Sequence, residues 1–414
     1  LFLLLKKLFK MNVNFVITHL SHGSPGSFYR PYELLKELIF QGHNGKLLTP
    51  FSQDVKNITD VPIELIPNIT KKYIPQNFAY NNLRKILYNK TISRFMSYDK
   101  FLISSAKKIE DNIKKNFNPS CDIIQAEQEV AGLACINLSK EFEIPLVIDF
   151  HNIWAEELVS MGYIKRDSEQ FKNLIQIDQK LIDNADGIIV VSEYMKEYFL
   201  SKFQIDKNKI CVIPPGGKIL YSNFEEINQI RFKLKKIIYS GLVNPREHVD
   251  LFVKSIPFIQ EKNPQVEFYL SDKGESLKEI KNICASLNIN PKFAWHESLD
   301  NARKLIKFSY LGILPSVNDI PRKLGTPLKL FEYLSNGIPI VANDIGSWCE
   351  IIKENKIGIL TDDEPKKFGN EINSIIEDKN LYLTMQKNIF KLLQKNYSWK
   401  NHVQTLLPFY RKLS

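Results

Sequence analysis

The chain has 414 residues, 44% of them hydrophobic and 11% aromatic. That is enough apolar material for two domains of ordinary size, and it excludes a disordered, collagen-like or disulfide-stapled polypeptide. The formal charge is +10, but residues 1–120 hold 18 basic and 8 acidic side chains whereas residues 121–414 hold 38 of each, so any partner drawn by positive charge meets the first third.

The opening Leu1-Phe-Leu-Leu-Leu-Lys-Lys7 is too short an apolar run for a signal-peptide core or a bilayer span, and the folded part is expected to begin near Met11. Asn14–Leu20 reads as a strand, His22–Ser27 as a turn, and Tyr29–Gln41 as a helix closed by Gly42. Gly45–Thr49 is the next strand. Further on come strand Asp122–Ala126, helix Glu129–Phe142, strand Pro145–Asp149, helix Phe171–Ala185 and the apolar strand Gly187–Val191. A second series follows Pro214-Pro-Gly-Gly217: strand Lys236–Ser240, helix Val249–Gln260, strand Val266–Leu270, helix Leu277–Leu287 and strand Phe293–His296. Helix Arg303–Phe308, strand Leu311–Leu314, helix Leu328–Ser335 closed by Gly337, strand Ile338–Ala342 and a separate helix Trp399–Leu413 complete it.

Short apolar strands alternating with helices predict parallel sheets covered on both faces. The chain therefore reads as two Rossmann-like, doubly wound α/β domains: residues 11–213, a linker at 214–232, residues 233–395, and a closing helix at 396–414. Ligands are expected outside the carboxyl ends of the strands, in a cleft between the two halves. The five cysteines are scattered, with no Cys-x-x-Cys pair, so neither a disulfide framework nor a zinc site is expected, and a reducing cytoplasm is the simplest setting. No transmembrane helix is expected.

Six segments in order resemble the retaining glycosyltransferases of family four (group 1 glycosyltransferases). The densest is Thr326-Pro-Leu-Lys-Leu-Phe-Glu-Tyr-Leu-Ser-Asn-Gly-Ile-Pro-Ile-Val-Ala342. The others are Gly312-Ile-Leu-Pro-Ser316, Ala185-Asp-Gly-Ile-Ile-Val-Val-Ser-Glu193, Val212-Ile-Pro-Pro-Gly216, Tyr239-Ser-Gly-Leu242 and Tyr397-Ser-Trp399. The resemblance implies the GT-B fold, in which the closing helix crosses back to the first domain. It also implies a nucleotide-sugar donor, a glycan or lipid-linked acceptor, retained anomeric configuration and no metal or other cofactor.

Transfer from a nucleoside-diphosphate sugar needs a nucleotide pocket, stabilisation of the departing diphosphate and an oriented acceptor hydroxyl. The loop Gly325-Thr326-Pro327-Leu328 opens a helix, where backbone amides can face an anion. The resemblance puts the donor diphosphate and sugar there and gives Glu332 the donor ribose. Lys329 shares a helix face with Glu332 and either pairs with it or reaches phosphate. Gly241 lies in the matching glycine loop. Two departures stand out: Leu324 where the family has an acidic residue, and Leu242 where it has an arginine, its companion lysine falling near Glu247. Arg246 is the nearest substitute cation, with an exposed loop arginine as the rival reading. In the first domain His151 follows a strand, where the family directs a histidine at the donor sugar and where α/β sheets present ligands. Gly23 and Gly26 line the first strand–helix turn, allowing close approach of phosphate or acceptor, and Arg30 beyond them either meets an acceptor phosphate or is solvated. The tract is not a full Gly-x-Gly-x-x-Gly fingerprint.

Lys71–Lys115 carries eleven basic and three acidic residues punctuated by aromatics. An anionic membrane surface suits that pattern, and with the resemblance to enzymes of lipid-linked acceptors it predicts a cytoplasmic protein peripheral to the inner face of the membrane. Single-stranded nucleic acid is the rival, and a helical arm with core aromatics the plainer alternative. Against the glycosyltransferase reading stand a non-catalytic GT-B protein binding nucleotide or lipid, which Leu324, Leu242 and Glu247 favour, and another GT-B enzyme such as a sugar epimerase or phosphorylase.

Overall fold

The structure, a computed structural model, describes residues 10–18, 26–49, 60–65, 97–221, 223–294 and 304–414. The chain divides into two compact units, one formed by Leu1–Pro214 with Trp399–Ser414 and the other by Pro215–Ser398.

The sheet of the first unit has seven parallel strands: β1 (Asn12–Ile17), β2 (Asn44–Thr49), β3 (Ile63–Leu65), β4 (Ile123–Glu127), β5 (Leu146–Phe150), β6 (Gly187–Val190) and β7 (Ile210–Val212). Their order is β3-β2-β1-β4-β5-β6-β7, so the winding reverses between β1 and β4. Every residue of β4, β5 and β6 is buried, as the uninterrupted apolar runs require of strands covered on both faces. Helix Gly26–Phe40 packs Leu34, Leu35 and Leu38 on Val13, Phe15 and Ile17, and the closing helix Trp399–Arg411 adds Trp399, Val403, Leu406 and Tyr410 to that same core. Each such side chain contributes about 1.5–3 kcal/mol by leaving water. The first helix starts three residues earlier than its apolar spacing suggests, and Gly42 follows it with φ +93°.

The second unit has six parallel strands: β8 (Lys236–Tyr239), β9 (Glu267–Leu270), β10 (Lys292–Phe293), β11 (Leu311–Leu314), β12 (Ile340–Asn343) and β13 (Gly358–Thr361). Their order, β10-β9-β8-β11-β12-β13, reverses between β8 and β11. Alternate residues feed opposite faces: Ile237, Tyr239 and Val341 enter one core with Phe252 and Ile256, whereas Ile238, Ile340 and Ala342 enter another with Leu330, Phe331 and Tyr333. Residues 214–232, read as a linker, contain the start of helix Glu225–Leu234 of this second unit. Its Arg231 is fully buried and donates to the carbonyls of Lys307 (2.7 Å), Asn336 (2.7 Å) and Gly337 (3.3 Å). Two of those carbonyls end helix Leu328–Ser335, where a guanidinium also meets the negative end of the helix dipole.

The recurrent motifs have local structural reasons. Ser192 caps helix Glu193–Lys202, accepting from Met195 N at 3.0 Å, the ordinary service of a serine at that position. Tyr333 lies buried between strands, its hydroxyl accepting from Ser240 N at 2.8 Å. A Cβ at Gly312 would sit 2.5 Å from the Tyr333 ring, so the bare backbone of β11 is what admits the aromatic side chain. Among the described residues no helix is long and apolar enough to cross a membrane, and all five cysteines are free thiols.

Candidate functional site

Strand register assembles a charged cluster at the carboxyl end of the first sheet. Glu127 pairs with Asp149 across β4 and β5. Since side chains alternate along a strand, Gln125 and Glu127 share a face with Asp149, and His151 follows two residues beyond. His151 Nε2 lies 2.6 Å from Glu127 Oε2 and 3.5 Å from Asp149 Oδ1. Gln125 donates to Glu127 Oε1 at 2.9 Å and to Asp149 Oδ2 at 3.2 Å, and itself accepts from Tyr410 of the closing helix. Arg30 closes the opposite side, bonding Asp149 Oδ2 at 3.0 Å and the Pro214 carbonyl at 2.9 Å. The chain passes from β4 into helix Gln128–Phe142 with no intervening loop, and Gln128 takes φ +66° to make the turn. That left-handed backbone is unfavourable for a side-chain-bearing residue and typical of functional sites.

Burial works against the charge on His151, but the Asp149 and Glu127 carboxylates outweigh it and push its pKa up to about 9, so the ring is an imidazolium at neutral pH. Burial also tends to protonate Asp149, yet Arg30 and His151 hold it below the ordinary carboxylate range. Glu127 is pushed up by burial and by Asp149. Among the described residues Glu127, Asp149 and His151 form the one group of three or more His, Cys, Asp or Glu side chains whose ligand atoms all lie within 4.8 Å of one another. Arg30 and His151 both stand against the carboxylates of this group.

The second unit carries a cationic cluster at its own reversal point. Lys329, in the first turn of helix Leu328–Ser335, pairs with Glu247 and donates to Tyr239 Oη at 3.1 Å. Its stem runs over Gly241, just past the end of β8, where a Cβ would lie 2.3 Å from Lys329 Cε. Arg322 reaches the other oxygen of Glu247, and Tyr239 Oη lies 3.1 Å from Glu247 Oε2. Burial alone would raise Glu247, but Lys329 and Arg322 hold it at about 2. Lys329 is lowered by burial and by Arg322, with Glu247 opposing. Arg246 pairs with Asp319 at 2.9 Å, and Asp319 also caps helix Ile320–Leu324, accepting from Arg322 N at 2.8 Å.

Several sequence expectations change in this light. Arg30 is neither solvated nor open to an acceptor phosphate: its side chain is 2% exposed and committed to Asp149. Lys329 takes Glu247, not Glu332, as its ion-pair partner. Arg246 is engaged by Asp319 and is not an exposed loop arginine. The Gly325 amide donates to the Pro321 carbonyl at 2.9 Å, which removes it from the anion-binding donors. Pro327 is the N-cap of helix Leu328–Ser335, with no side-chain capping bond, Thr326 precedes it, and Glu332 lies one turn into the helix, half-buried. Leu324 is a core residue. Gly26 opens the first helix, whereas Gly23 lies outside the described residues, as do residues 71–96 of the basic segment. Gln125, Glu127, Tyr410 and Arg322 were not singled out from sequence. A glutamate directly after the strand read at Asp122–Ala126, next to the strand read at Pro145–Asp149, was the available signal for Glu127.

Residues 222–392 match the model of the glycosyl transferases group 1, and residues 29–217 match that of Glycosyltransferase Family 4. The chain belongs to the group 1, family 4 glycosyltransferases. This glycosyltransferase is 21% identical over 296 residues to chitobiosyldiphosphodolichol beta-mannosyltransferase of Candida albicans, an alignment spanning 66% of the chain and 63% of the Candida enzyme. It is 20% identical over 315 residues to the D-inositol 3-phosphate glycosyltransferase of Paenarthrobacter aurescens, spanning 70% and 72%. The fold resembles that of HepE from Anabaena, crystallised with UDP-glucose, with a TM-score of 0.69 and 17% identity over 97% of this chain and 100% of that one. The two Rossmann-like units of the glycosyltransferase are those of the GT-B fold.

Proposed function

We propose that this glycosyltransferase moves a sugar from a nucleoside-diphosphate sugar to a hydroxyl of a glycan or lipid-linked acceptor, with retention of configuration and without a bound metal. The observation that carries the reading is the start of helix Leu328–Ser335 beside the β8/β11 reversal. There an uncapped helix N-terminus, the Lys329 ammonium and Glu332 one turn on stand together, which suits a diphosphate and a ribose. The bound UDP-glucose of HepE and the lipid diphosphate in the Candida enzyme's name support donor and acceptor class respectively. Protein cations take the role a metal would otherwise have toward the leaving group.

For His151, at the carboxyl end of the first sheet, and for retention of configuration, the support is the resemblance: the family directs a histidine at this strand end toward the donor sugar. The exposed Lys100, Lys107, Lys108, Lys114 and Lys115 of helix Tyr98–Asn116, with Ile103 52% exposed among them, support docking on an anionic leaflet, the inner face of the membrane in a cytoplasmic setting.

The test is incubation of the full chain with labelled nucleotide sugars and membrane lipids, with and without EDTA, and NMR of the product's anomeric centre. Transfer that survives EDTA, retains the donor configuration and is abolished by Glu332→Ala is expected. Nucleotide binding without transfer or release from any donor counts for the non-catalytic alternative, and an inverted product overturns retention.

A further inference from the structure

The departure at Leu242 and the carboxylate of Glu247, near which the companion lysine of the family falls, have a common structural answer. A carboxylate now stands where a cation is expected, but it is not left to face a ligand alone. Its two oxygens are taken by two cations from different segments, Lys329 on helix Leu328–Ser335 and Arg322 on the short helix before it. Tyr239 braces the arrangement by bonding both Glu247 and the Lys329 ammonium at 3.1 Å. The side chains of Glu247, Lys329 and Arg322 are 14%, 18% and 26% exposed, so the group is shielded yet reachable. Glu247 accepts from both cations, and an ammonium with three N–H groups gives two of them to Glu247 and Tyr239.

We propose that Arg322 and Lys329, drawn together by Glu247, form the cation pair that grips the donor diphosphate, with Glu247 as the positioning residue and Arg322 replacing the charge absent at Leu242. The inference rests on the nucleotide-sugar reading above. Holding two long side chains in place before the ligand arrives removes an ordering cost that free lysines and arginines bear on binding. A guanidinium also meets phosphate oxygens in a fixed two-pronged geometry that a lysine cannot copy.

The experiment is calorimetric titration of the full chain with UDP, GDP and their monophosphates, for wild type, Arg322→Gln, Arg322→Lys, Glu247→Gln and, on the exposed end of β10, Lys292→Gln. Arg322→Gln is expected to weaken diphosphate binding about tenfold or more while changing monophosphate binding little, so that the preference for diphosphate collapses. Arg322→Lys restores part of it. Glu247→Gln, which removes the clasp but no cation, weakens diphosphate binding several-fold, and Lys292→Gln retains it. An unchanged diphosphate preference in Arg322→Gln overturns the pair. Tighter diphosphate binding by Glu247→Gln overturns the positioning role, since Glu247 would then be a competing anion. Failure of the wild type to bind any of these nucleotides removes the nucleotide-sugar reading and this inference together, whereas binding that every variant retains removes this inference alone. Monophosphate binding and thermal melting of each variant report that it is folded.

Discussion

Arg30 and Asp149 form a bidentate ion pair whose side chains are 2% and 0% exposed, on a helix and a strand separated by 119 residues of sequence. Breaking such a pair leaves one charge buried without its partner, at a cost of about 3–5 kcal/mol, whereas replacing both groups by apolar ones of similar volume costs far less. Arg30→Met is therefore expected to lower stability strongly, and Arg30→Met with Asp149→Leu to recover much of the loss. Urea unfolding of the single and double variants checks this; a strictly additive double variant would contradict it.

His151 gives the first unit a definite pH response. Its folded pKa of about 9 lies above the ordinary 6.5, so its stabilising contribution is complete below about pH 6.5 and is lost as pH rises through 9. The urea midpoint of the wild type should fall between pH 7 and pH 10 more steeply than that of His151→Gln. Parallel pH profiles for the two proteins would mean that the imidazolium contributes nothing.

Gly312→Ala drives a methyl group into the Tyr333 ring, 2.5 Å away. Since the Tyr333 hydroxyl is tied to the Ser240 amide and the Ile238 and Ile313 carbonyls, the ring cannot retreat without losing those bonds, and the change should cost about 1–3 kcal/mol. A melting temperature equal to that of the wild type would show that β11 yields instead.

Lysines 100, 107, 108 and 115 face solvent on helix Tyr98–Asn116. Changing these four to glutamate should sharply weaken sedimentation with vesicles of anionic phospholipid while leaving UDP titrations unchanged. Retained vesicle binding would move the membrane contact to another part of the chain.

The doubly wound architecture was readable because the strands are uninterrupted apolar runs, as in Gly187-Ile-Ile-Val190, and because helix and strand periods differ. The three-residue β3 and β7 were not separable that way, being too short to establish a period, whereas the strand read at Phe293–His296 overlaps β10 at Phe293. In the site, Lys329 and His151 were legible from position beside strand ends. Their partners were not. Glu247 lies 82 residues from Lys329, and Glu127 lies 24 from His151, and nothing in linear spacing reveals which cation a buried carboxylate meets. Arg30 shows the same limit from the other side. A charged residue on the first helix reads as surface until strand register puts Asp149 beneath it.

The closing helix carries a consequence for the order in which the molecule is made. Trp399, Leu406 and Tyr410 complete the core of the first unit, and Tyr410 bonds Gln125 beside Glu127, yet they follow every residue of the second unit in the chain. Domains ordinarily finish in the order in which they leave the ribosome. Here the N-terminal unit waits, one face of its sheet open, until residues 399–411 have been synthesised, so the cluster around His151 is finished only after the Lys329 cluster can already be in place.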